Sequence, residues 1–151
     1  MIPIANPEFD DAEKDAVVDV LDSGMVADGD VVRDFESSFA EYCDTTHGVA
    51  TSNGTTALHA ALEALNIGEG DTVLTTPFSF IATANSIRLA GAEPVFADID
   101  PETYNLDPDA AAEVAREHDV DAIMAVHLYG LPSDLDPLVD LEAELDVPLI
   151  E

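Results

Sequence analysis

The stretch Thr51-Ser52-Asn53-Gly54-Thr55-Thr56-Ala57-Leu58 gathers residue types that can hold an anion. It follows a short apolar run, His47-Gly48-Val49-Ala50, and opens a helical pattern, so it reads as a strand–turn–helix junction. Backbone N–H groups at a helix start have no intrahelical partners. The helix dipole adds partial positive charge there, which suits a phosphate or another anion. A plain cap is the other reading, because many such turns use Ser or Asn as a cap and Gly for tightness. No Lys or Arg lies nearby, so an anion here rests on N–H groups, hydroxyls and the dipole unless another segment brings a cation. The stretch is not a Walker A loop, which needs Gly-Lys before Ser or Thr. Gly-x-Gly-x-x-Gly is also absent.

These residues need elements to position them. Residues 1–7 read as an extended arm with two prolines. Ala12, Ala16, Val17, Val20 and Leu21 share one helical face over residues 10–21, and Gly24 is a fitting stop. Val32, Phe35, Phe39, Tyr42 and Cys43 mark a second amphipathic helix. From His47 the rhythm changes. Strands are expected at residues 48–51, 72–75, 94–97, 122–126 and from 148. Helices are expected at 55–65, 81–90, 109–118 and 135–145. Alternating short apolar strands and helices specify an α/β domain with a mostly parallel sheet. The expected division is a helical arm over residues 1–45 and an α/β domain over 46–151. Ligands in such sheets bind at the carboxyl ends of the strands. Those ends hold Ser52–Thr56, Thr76–Phe80, Asp98–Asp100, His127–Gly130 and Glu151.

Composition narrows the partners. The 151 residues suffice for a domain with a real core. Thirty-three acidic residues stand against four basic ones, for a net charge of −29. Nucleic acid and anionic membrane are disfavoured as partners, since both demand a basic surface. The acidic residues are spread over every segment, as on a protein adapted to a salt-rich cytoplasm. Such a charge repels itself, and molar salt shortens the screening length to about 3 Å. A single cysteine, Cys43, excludes an intramolecular disulfide, and its place on a helical face predicts a buried thiol. The first residues lack the basic and apolar regions of a signal peptide, and no apolar run reaches membrane-spanning length. The expected location is cytoplasmic. No metal site is expected.

Taken together, the strand-end segments resemble the DegT/DnrJ/StrS family of aminotransferases, fold-type I enzymes that use pyridoxal phosphate (PLP). The resemblance is carried in order by Ser23-Gly24, Phe35-Glu36, Ser52 to Leu58, Gly68-Glu69-Gly70-Asp71-Thr72-Val73 and Pro77-Phe78-Ser79-Phe80-Ile81-Ala82-Thr83-Ala84-Asn85. It continues through Gly91-Ala92-Glu93-Pro94-Val95-Phe96, Asp98-Ile99-Asp100 and His127-Leu128-Tyr129-Gly130. Each motif is weak alone; their order and spacing are specific. Met25 follows Gly24 where the family often has an aromatic residue.

The resemblance implies that Gly54 and Thr55 hold the PLP phosphate and that Phe80 stacks on the pyridine ring, with Phe78 left to pack in the core. Alternation along a strand end allows only one of the two to face a ligand. His127 and Tyr129 read first as a polar strand end lining the cleft, with direct catalysis by His127 the weaker reading. Asp98 and Asp100 read as turn-forming carboxylates. The family implies a nucleotide-linked keto-sugar as amino acceptor, an amino-acid donor, a homodimer and a role in surface polysaccharide or glycan precursor synthesis.

The family's chemistry also needs a lysine bonded to the cofactor and a carboxylate at its pyridinium nitrogen. The one lysine here, Lys14, precedes the first strand and does not match. The matching Asp would directly follow Glu151. No catalytic residue of the family therefore falls within these 151 residues. The chain alone is expected to be inactive, and an inactive remnant or binding module of the same fold is the alternative reading.

Overall fold

The computed structural model describes residues 6–151, so most of the expected N-terminal arm lies outside the described residues. The chain divides into two compact units, Met1–Ala50 and Thr51–Glu151.

The first unit carries helices α1 (Asp11–Ser23) and α2 (Asp30–Tyr42). Asp10 starts α1 with a capping box: its carboxylate accepts the Ala12 N–H at 2.7 Å, and Glu13 accepts the Asp10 N–H at 2.8 Å. Gly24 ends the helix in the left-handed region (φ 73°) and donates its N–H to the Leu21 carbonyl. The apolar residues of both helices fall at the expected spacing, yet α1 buries none of its residues and α2 buries only Ala40. Phe35, Phe39 and Tyr42 form an exposed row with ring centroids 5.6 and 6.5 Å apart. Cys43 is exposed, which corrects the expected buried thiol. It caps the C-terminus of a helix whose apolar stripe is itself uncovered.

A second correction concerns residues 48–51, which form no strand. The Ala50 N–H is donated to the Glu36 carboxylate at 2.9 Å, so the segment is fastened to α2 through a side chain. Val49 is 83% exposed, where a buried strand requires an inward side chain.

The second unit is a three-layer sandwich. Its parallel sheet has the order β2-β1-β3-β4, with β1 Thr72–Thr75, β2 Glu93–Phe96, β3 Ala122–Met124 and β4 Leu149–Ile150. Helices α3 (Gly54–Ala64) and α4 (Ala82–Ala90) supply one apolar layer, where Leu62 and Ile87 meet Val73, Ala122 and Met124. Helices α5 (Pro108–Glu117) and α6 (Leu135–Leu145) supply the other, where Ala111, Leu138 and Leu141 meet Leu74 and Ile123. Neighbouring residues of one strand thus serve opposite layers, as the period of two demands. Each fully buried Leu or Ile contributes roughly 1.5–3 kcal/mol of apolar transfer. Gly91 ends α4 with φ 95°, a conformation open to glycine at little cost.

The strand order creates a switch point. From β1 the chain moves to β2 on one side, then returns past β1 to β3 and continues outward to β4. The carboxyl ends of β1 and β3 therefore lead in opposite directions and leave a crevice between them.

Candidate active site

The segments leaving β1 and β3 at this crevice are residues 76–81 and 125–130. Between them lies a cavity of about 300 Å³ lined by Pro77, Phe78, Ser79, Phe80, Leu128 and Tyr129. Buried Thr75 ties the two strands at this end by donating its hydroxyl to the Met124 carbonyl at 2.8 Å. The segment after β1 is bent rather than extended: Thr76 Oγ1 accepts the Phe78 N–H at 3.2 Å, and the Ser79 and Thr83 hydroxyls meet at 2.7 Å. Because the segment turns, strict alternation does not apply, and Phe78 and Phe80 both line the cavity. That corrects the expected placement of Phe78 in the core. Phe78 stacks against Tyr104 with ring centroids 5.7 Å apart, while Phe80 is 76% exposed.

Gly54 and Thr55 are the first two residues of α3 and are not among the cavity-lining residues. Asn53 caps the helix, its side-chain oxygen accepting the Thr56 N–H at 3.0 Å. Helix geometry leaves the N–H groups of Gly54 and Thr55 without intrahelical acceptors. A Cβ built on Gly54 meets no atom within 4 Å, so the space in front of this turn is open.

After β3, a 3-10 turn (Leu128–Gly130) carries Tyr129, which has φ 53° and is 88% exposed. The Ser133 N–H donates to Nδ1 of His127 at 3.1 Å, so the imidazole proton resides on Nε2. Nε2 in turn lies 2.9 Å from a carboxylate oxygen of Glu151. Asp100 serves its loop by accepting the N–H groups of Glu102 and Thr103 at 2.7 and 2.8 Å. These bonds, the one from Thr103 foremost, hold its carboxyl below the ordinary carboxylate range. In the first unit a polar hollow of about 500 Å³ lies beside α2, lined by residues that include Glu36, His47 and Gly48. Among the described residues, no group of three or more His, Cys, Asp or Glu could hold a metal ion, and no helix is long and apolar enough to cross a membrane.

Residues 7–151 match the DegT/DnrJ/EryC1/StrS aminotransferase family. The chain belongs to that family. It is 42% identical over 151 residues to GDP-perosamine synthase of Caulobacter vibrioides, covering 99% of this chain and 40% of that protein. Its fold matches the aminotransferase of Psychrobacter cryohalolentis with a TM-score of 0.90 and 40% identity, over 97% of this chain and 38% of that one. It also matches NtdA of Bacillus subtilis, solved with bound cofactor PMP, with a TM-score of 0.84 and 31% identity, over 90% of this chain and 31% of that one. The chain thus spans about two fifths of the length of the curated relatives it matches. The α/β architecture with its parallel sheet is the family's fold.

Family membership gives the cavity a context that the sequence reading only half supplied. Sequence reasoning singled out Phe80, His127 and Tyr129, and the fold brings their two segments to one crevice. It did not single out Tyr104 or Asn105. Their roles depend on contacts across 26 or more residues (Phe78 to Tyr104, Asn105 to Leu131), which leave no local pattern.

Proposed function

We propose that the full-length protein is a PLP-dependent aminotransferase that moves an amino group from an amino-acid donor to a nucleotide-linked keto-sugar. The observation that carries this reading is an aromatic-walled cavity at the sheet's switch point in a chain of this aminotransferase family. The nucleotide-sugar acceptor is supported by the 42% identity to a protein named GDP-perosamine synthase.

The residues present fit the cofactor. Open space before Gly54 and free N–H groups at the start of α3 suit a phosphate. An exposed Phe80 ring suits a flat pyridine. In this reading Gly54 and Thr55 hold the phosphate, Phe80 stacks on the ring, and Tyr129 walls the same cavity. The bound cofactor supplies an electron sink for the carbon that bears the amino group. In this reading the covalent lysine and the pyridinium carboxylate lie outside these 151 residues, in the share of its relatives' length that the chain does not span. His127, fixed as the Nε2–H tautomer, orients Glu151.

The same reading includes a cytoplasmic homodimer working in surface polysaccharide or glycan precursor synthesis. The exposed row of Phe35, Phe39 and Tyr42 supports association, because apolar patches of this kind are commonly covered. The net charge of −29 supports adaptation to high salt.

The test is an amino-transfer assay. Full-length protein loaded with PLP is incubated with a GDP-linked keto-sugar and a panel of amino acids, and the nucleotide sugar is followed by mass spectrometry. The expected product has its carbonyl oxygen replaced by an amino group and a hydrogen. Cofactor-loaded protein that aminates no nucleotide-linked keto-sugar with any donor would contradict the substrate class.

A further inference from the structure

We infer that Asn105 is a positioning residue of this site, fixing the turn that brings Tyr129 to the cavity. The inference rests on the cofactor-site reading above.

Asn105 lies between β2 and α5 and is 2% exposed. Its side chain is committed at three points. Nδ2 donates to the carbonyls of Leu131 and Pro132 at 3.0 and 3.1 Å, and Oδ1 accepts the Leu128 N–H at 3.0 Å. Only a carboxamide offers paired donors on one side and an acceptor on the other within so short a side chain. The three bonds grip the 128–132 turn on both sides of Tyr129.

That turn needs an external hold. Tyr129 takes φ 53° and ψ 25°, a left-handed conformation that a non-glycine residue keeps only when its surroundings enforce it. Tyr129 is 88% exposed, so packing of its own side chain does not enforce it. Ser133 closes the stem of the loop through Val126 and His127, the Gly130 and Leu131 N–H groups donate to the His127 and Leu128 carbonyls within the turn at 3.1 Å, and Asn105 holds the tip from outside.

The mount for Asn105 is itself rigid. The Asn105 carbonyl accepts the Asp100 N–H at 3.0 Å, and the Asp100 carboxylate gathers the next turn. The preceding residue, Tyr104, packs its ring on that of Phe78, one of the cavity-lining residues. Two consecutive residues thus brace both walls: Tyr104 the segment after β1, Asn105 the turn after β3.

The experiment is a double-mutant cycle on the full-length protein, with PLP affinity measured by equilibrium titration and melting temperature measured alongside. Asn105→Ala in the wild-type background is expected to weaken PLP binding about tenfold, as for loss of an interaction worth one decade of affinity. In a Tyr129→Ala background the same change is expected to weaken it by no more than about threefold. An equal factor in both backgrounds, or no effect on PLP affinity in either, overturns the inference. If Asn105→Ala does not fold, Asn105→Asp decides the same cycle, since it keeps the acceptor for Leu128 and loses both donors. Wild-type protein that binds no PLP overturns the cofactor-site reading and the inference with it. Wild-type binding with an additive cycle overturns the inference alone.

Discussion

His127 and Glu151 join the ends of β3 and β4 through a 2.9 Å contact between Nε2 and a carboxylate oxygen. The Ser133 N–H occupies the other ring nitrogen, so one imidazole ties together the loop after β3 and the edge of β4. His127→Ala removes both bonds and leaves the N–H of buried Ser133 without its acceptor. The expected loss is about 1–3 kcal/mol of stability, read by urea unfolding of the full-length protein. Glu151→Gln, which keeps a hydrogen-bond acceptor, is expected to lose less. An unchanged midpoint for His127→Ala would show that the tie carries no stability.

The phosphate and ring assignments separate in binding. Thr55→Val removes a hydroxyl from the start of α3 and is expected to weaken PLP about tenfold, while leaving phosphate-free pyridoxal unaffected. Phe80→Ala is expected to weaken both ligands by a similar factor. Because Phe80 is mostly exposed, its loss should hardly move the melting temperature. Equal effects of Thr55→Val on PLP and pyridoxal would remove the phosphate from α3.

Much of this fold was legible because local pattern and tertiary context agree. Thr72–Thr75 and Leu135–Leu145 fall where their periodicity put them. What escaped has physical reasons. Residues 48–51 carry the composition of a strand, but a strand needs a neighbour, and Glu36 takes the Ala50 N–H instead. Cys43 sits at the end of a patterned helix whose apolar row, Phe35, Phe39 and Tyr42, is exposed. The Phe78–Phe80 alternation fails because Thr76 and Ser79 bend the backbone. Asn105 carries no local signal, since its partners lie 23 to 27 positions away. The switch point depends on strand order, and no single strand encodes that.

Gly48 reports on the close approach that excludes the expected strand. A Cβ added there would lie 2.5 Å from the Glu36 carbonyl oxygen, a backbone atom with little freedom to move. Gly48→Ala is therefore expected to destabilise the protein by about 1–3 kcal/mol, as overpacking does. Urea unfolding of the variant checks this, and wild-type stability would mean that the segment lies further from α2.

The net charge of −29 is expected to make stability depend on salt. At about 1 M salt the screening length is near 3 Å; at about 0.1 M it is near 10 Å, and the charge of −29 acts on itself. The melting temperature is expected to fall steadily as potassium chloride is removed by dialysis. A melting temperature independent of salt would refute adaptation to a salt-rich cytoplasm.

The central claim is that the full-length protein carries PLP on a lysine, with these 151 residues forming part of its cofactor domain. The most direct measurement is borohydride reduction of the PLP-loaded full-length protein, followed by peptide mapping by mass spectrometry. The expected result is one reduced pyridoxyl adduct on a lysine outside these 151 residues, whose single lysine is Lys14. No adduct, or an adduct confined to Lys14, would contradict it.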